Sequence, residues 1–107
     1  MDDIFKTDPS LISFLRARKD YLGEFLGAMR DAYELTQQDV SEATGYSIQT
    51  ISKLENGRGN PMGIAGRDIF SYLCEQSGLT LDEILKELSH FCRKMKAAEE
   101  HDEKLMQ

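Results

Sequence analysis

Gln49, Ser52, Lys53 and Asn56 stand at i, i+3, i+4 and i+7, a spacing that puts all four on one face of an α-helix. Each carries a hydrogen-bond donor. A glutamine amide can pair bidentately with adenine, and a lysine can reach O6 and N7 of guanine. The face therefore suits the reading of base edges, although many solvated helix faces are polar in the same way. Ile51 and Leu54 point to the other side and pair with Val40 on a preceding helix. Ile48 is ambiguous: it can join Ile51 and Glu55 inward, or face solvent and pack on a thymine methyl group.

The elements that position these residues are legible from their ends. A first helix opens at Thr36, a good N-cap, and stops after Thr44 at Gly45, which can take the left-handed conformation of a helix end. A second opens at Ser47 and runs to about Asn56 before Gly57 ends it. Two short helices joined by about three residues with glycine at the corner make a helix-turn-helix arrangement, whose second helix can enter the major groove of DNA.

Further residues make the likeness specific. Arg30, Thr36-Gln37, Val40, Gly45, Ser47, Ile51, Leu54-Glu55-Asn56-Gly57 and Pro61, and then the run from Ser77 to Leu85, SGLTLDEIL, are arranged as in the Xre family. From about Leu22 to Leu85 the chain resembles that family, the Cro and lambdoid-phage-repressor type of DNA-binding domain. The resemblance implies an all-α, five-helix phage-repressor-like domain, here with an N-terminal helical extension and an extended C-terminal helix. It implies that Ser47, Ile48, Gln49, Ser52 and Lys53 face bases, with a phosphate contact as the rival role of Lys53. It also implies that Gln37, Thr50, Asn56 and Arg58 hold the DNA backbone, Gln37 bracing the recognition helix as well. Arg30 and Glu55 match a buried ion pair of structural function.

The chain departs from the family pattern in several places. Ser41 and Thr44 are more polar than the usual alanine and larger aliphatic residue, Tyr46 is bulky for the corner, and the loop after Pro61 is longer. The expected organisation is a helical extension over 1–20, a DNA-binding domain over 21–88 with its helix-turn-helix unit at 36–56, and a helical tail over 89–107. A single domain of this size reads few base pairs, and the family commonly dimerises on half-sites one helical turn apart. Leu88, Phe91, Cys92 and Met95 form an apolar strip that outlasts the minimal domain, as do Leu11, Phe14 and Leu15 at the other end. These are candidate contacts of a homodimer, or else the two extensions cover each other within one chain.

The rest of the chain is consistent with helices throughout. Asp8-Pro9-Ser10 reads as a helix start, and apolar residues from Leu11 to Tyr33 form one stripe, predicting one long helix or two with a break around Asp20 to Gly23. Gly23 and Gly27 each weaken a helix by roughly 1 kcal/mol relative to alanine unless a neighbour needs the space. Further helices are expected over about Ile64 to Ser77 and, after a capping box at Thr80 and Glu83, from Leu81 onward. Nothing alternates with period two, so no sheet is expected. Arg16 to Lys19, RARK, is the densest basic cluster, read either as a solvated face or as a phosphate or partner contact.

The 107 residues carry a net charge of −6, unusual for a DNA-binding protein because phosphate neutralisation supplies most non-specific affinity. Between 37 and 60 the bases Lys53 and Arg58 stand against Asp39, Glu42 and Glu55. Either the basic groups cluster on one face, or a partner assists binding. The acidic start, MDDIFKTD, lacks the regions of a secretion signal, and no apolar run reaches the roughly 20 residues that span a bilayer. A cytoplasmic protein without a membrane partner is expected. Cys74 and Cys92 read as small half-buried thiols, and with His90 and His101 they lack metal-ligand spacing, so neither metal nor cofactor is expected. No nucleophile–base pair or phosphate-cradling loop points to an enzyme. Double-stranded DNA is the expected partner and a homodimeric repressor the leading function. The alternative is an antitoxin, or another partner-binding protein, that uses the same unit for autoregulation.

Overall fold

The computed structural model describes residues 8–106, which form six helices and, among those residues, no strand. They are α1 (Pro9–Ala17), α2 (Lys19–Ala32), α3 (Gln37–Thr44), α4 (Ile48–Glu55), α5 (Ile64–Ser77) and α6 (Leu81–Met106). Local chemistry sets most of the ends. Asp8 caps α1 by accepting from the Leu11 amide at 3.1 Å. Thr36 and Asp39 close a reciprocal capping box on α3, with bonds of 3.0 and 2.8 Å. Thr80 and Glu83 do the same at the start of α6. Gly45 and Gly78 end α3 and α5 in the left-handed region.

One apolar core joins all six helices. Val40, Ile51 and Leu54 of the helix-turn-helix unit meet Leu22, Phe25 and Leu26 of α2 and Ile69, Phe70 and Leu73 of α5 in it. Phe25 lies tilted against both Phe70 and Phe91, with ring centroids 6.3 and 5.4 Å away.

Three expectations change. The break between the first two helices lies at Arg18, where the apolar stripe is interrupted, and ahead of the expected Asp20–Gly23 segment. Gly23 stays inside α2 because a Cβ there would sit 2.1 Å from the carbonyl oxygen of Leu54. The glycine that looked like a helix weakness is thus what lets α2 lie directly on α4. Arg18 takes a non-helical conformation in which its guanidinium covers the Tyr21 ring at 4.1 Å and pairs with both Asp20 and Glu99.

Second, half of the expected dimer strip lies in the core of the chain itself. Leu88 and Cys92 are buried, and Phe91 and Met95 are partly buried against the same core, which α1 enters through Ile12 and Leu15. The core therefore crosses both expected boundaries, 20/21 and 88/89. The reason is geometric: α1 and α6 both pack on α2 and Arg18 reaches Glu99, while Leu11, Phe14 and Cys92 still border an open groove. Third, Cys74 and Cys92 are buried, not half-buried; burial holds the Cys74 thiol up at about 12 and raises that of Cys92. No helix among the described residues is long and apolar enough to cross a membrane.

Candidate nucleic-acid interface

Ser47 starts α4 by accepting from the Thr50 amide at 3.2 Å, and the two hydroxyls lie 3.0 Å apart. At the far end, the Gly57 amide donates to the Leu54 carbonyl and the Arg58 amide to the Lys53 carbonyl, at 3.1 and 2.9 Å. That pair of bonds, with Gly57 at a φ of 75°, is a Schellman ending, and it fixes Arg58 just beyond the helix.

Between these ends α4 buries Ile51 and Leu54 and turns its other side outward. Gln37, Ile48, Gln49, Ser52, Lys53, Asn56 and Arg58 together line a shallow concavity of about 460 Å³. Ile48 is 38% exposed and faces this concavity. Ser47 and Thr50, also expected at the interface, do not line it; their hydroxyls are turned to each other. Asn56 donates to the Ser52 hydroxyl at 3.3 Å, while Gln49, Lys53 and Arg58 are exposed.

The ion pair expected behind this surface is present. Glu55 accepts from Arg30 Nη2 at 2.8 Å and from Nε at 3.0 and 3.2 Å, with the side chains only 14% and 13% exposed. Arg30 also donates to the Leu35 carbonyl at 2.8 Å. The carboxylate raises the Arg30 pKa, so the guanidinium stays charged at any relevant pH. Gln37 points its amide at the same carboxylate, 3.5 Å away. Glu55 thus ties α2, the start of α3 and α4 into one block, and Gly27 gives it room, since a Cβ there would meet its Oε1 at 3.0 Å.

The residues that depart from the family pattern form a clasp at the corner. Ser41 Oγ donates to the Tyr46 carbonyl at 2.6 Å, and Thr44 Oγ1 donates to the Val40 carbonyl at 2.7 Å. The Tyr46 hydroxyl reaches across to Asp68 on α5 at 2.5 Å. Polar side chains thereby lock the turn that an aliphatic pair would otherwise pack. In sequence Ser41 and Thr44 read only as more polar than the family pattern; their bonds to the Tyr46 and Val40 carbonyls give that polarity its use.

A family model described as a helix-turn-helix domain matches residues 21–86. The chain belongs to the helix-turn-helix domain family. Comparison with curated proteins and with solved structures gave no match. The matched stretch runs from α2 into α6, so this helix-turn-helix domain carries α1 as an addition on its N-terminal side. Within the matched stretch, α3 and α4 are the two helices of the unit, α4 being the second.

Proposed function

We propose that the protein is a sequence-specific DNA-binding transcriptional regulator of the Xre, or Cro and lambdoid-phage-repressor, type. It acts in the cytoplasm as a homodimeric repressor that occupies an operator. The observation that carries this reading is the convergence of Gln37, Ile48, Gln49, Ser52, Lys53, Asn56 and Arg58 on one concave surface along α4. In this reading Ser47, Ile48, Gln49, Ser52 and Lys53 face base edges, and Gln37, Thr50, Asn56 and Arg58 hold the backbone. With few cations on the unit itself, a second copy on an adjacent half-site supplies the missing affinity. Since Leu88 and Cys92 are core residues, the contact between copies draws on the partly exposed Phe91 and Met95.

The test is binding to DNA from the gene's own upstream region. Binding should be salt-dependent and sequence-selective, and should be lost on Gln49→Ala or Lys53→Ala; equal, weak binding to every sequence counts against the reading. Sedimentation showing only monomer, with and without operator DNA, would remove the homodimer. A second reading is favoured by a mainly apolar groove of about 440 Å³ between α1 and α6, lined by Leu11, Phe14, Ser89, Cys92, Arg93 and Lys96. It makes the protein an antitoxin or other partner-binding protein that autoregulates through the same unit. Under it, Phe14→Asp would abolish binding of a toxin encoded alongside and spare DNA binding.

A further inference from the structure

The cations of this acidic chain are not evenly spread. Arg16, in the last turn of α1, and Lys19, the first residue of α2, border a cleft of about 350 Å³ completed by Asn60, Met62 and Arg67. Both Arg16 and Lys19 are exposed, and no carboxylate among the described residues pairs with either. Arg18 between them differs, being engaged with Asp20 and Glu99. The third cation is held in place: Arg67 Nε donates to the Met62 carbonyl at 2.9 Å.

Helix stability does not account for Lys19. A cation at the first residue of a helix opposes the helix dipole, and α2 has no side-chain cap to offset it.

The cleft adjoins the recognition surface. Asn60 follows Arg58 by two residues, a separation that extended chain spans in at most about 7 Å. The first turn of α2 touches the same loop, since a Cβ on Gly57 would lie 3.1 Å from the Asp20 Cβ. Along one DNA strand, charges recur about every 3.4 Å of helix axis. Arg58 and the Asn60 wall of the cleft are thus separated by at most about two phosphate spacings.

Resting on the DNA-binding reading above, we propose that the Arg16–Lys19–Arg67 cleft is a second phosphate-binding site, which grips the DNA backbone flanking the bases read by α4. It extends the footprint without reading sequence, and it concentrates cations of an acidic chain where the duplex lies.

The experiment uses the full chain and a fluorescent random-sequence duplex, titrated at several salt concentrations. The double variant Arg16→Ala, Lys19→Ala is expected to lower the slope of log K against log salt by about 1.8, at about 0.9 per phosphate contact. Between about 50 and 200 mM salt the variant then loses about 12-fold less affinity than wild type. Lys19→Arg should keep the wild-type slope, and so should Lys94→Ala on the exposed side of α6. Should the double variant lose its fold, Lys19→Glu alone carries the test, with a slope lower by at least about 0.9. A wild-type slope in folded variants overturns the proposal while leaving DNA binding by α4 standing. Failure of the wild-type chain to bind any duplex overturns both.

Discussion

Glu55→Ala is expected to cost about 3 kcal/mol of folding stability, because removing one member of a buried ion pair strands the other. The general cost of such a deletion is about 3–5 kcal/mol. The lower end applies because Arg30 keeps two partners, the Leu35 carbonyl at 2.8 Å and the Asp31 carboxylate at 3.1 Å. Against a total of about 5–15 kcal/mol for a typical domain, the loss is large. Replacing both partners with apolar residues, Arg30→Met with Glu55→Leu, removes the stranded charge, so the double variant should lie within about 1 kcal/mol of wild type. Urea unfolding followed by circular dichroism on wild type, Arg30→Met, Glu55→Leu and the double variant closes the cycle, with Glu55→Ala measured beside it. The expected signature is a double variant clearly more stable than the sum of the single losses. Additive losses, or a Glu55→Ala variant within about 1 kcal/mol of wild type, would refute the argument that this carboxylate exists to neutralise Arg30. The same deletion frees the Gln37 amide from its carboxylate, so DNA affinity should fall at temperatures where the fold survives.

Two further outcomes follow from the packing and the charges. Gly23→Ala should destabilise the protein by about 1–3 kcal/mol despite the better helix propensity of alanine, because its Cβ would sit 2.1 Å from the Leu54 oxygen and must push α4 away. A thermal midpoint equal to or above wild type would show that the two helices separate without cost. Acid should destabilise the fold through Asp20 and Glu99, both held below their ordinary values of 3.8 and 4.5 by bonds from Arg18. A lowered carboxylate contributes stability above its unfolded value and loses it as pH falls through the folded one. Stability measured from pH 6 downward should therefore fall below about 4.5, and Arg18→Met should flatten that fall; an unchanged slope would sink the assignment.

The sequence by itself determined whatever depends on neighbours within a turn or two of helix. Thr36, Ser47 and Thr80 cap because a side-chain oxygen and an amide three residues on are held close by the helix itself, and Gly45 and Gly57 end helices by their own torsional freedom. The polar face of Gln49, Lys53 and Asn56 follows from a 3.6-residue repeat, which is why the candidate interface was legible residue by residue. Even Ile48, undecided by periodicity, needed only the family position to turn it outward.

What covers an apolar stripe is a different kind of fact. The strips at Leu11–Leu15 and Leu88–Met95 are readable as apolar, but periodicity does not say whether their cover is a second copy or the same chain. The tertiary structure decided that Ile12, Leu15, Leu88 and Cys92 enter one core and that Arg18 meets Glu99 across 81 residues. It also decided that Gly23 is a contact surface and that Arg16 and Lys19 share a cleft with Arg67. Each of these depends on two segments far apart in sequence meeting at a set distance and angle. That meeting is a property of the whole core, and no local pattern encodes it.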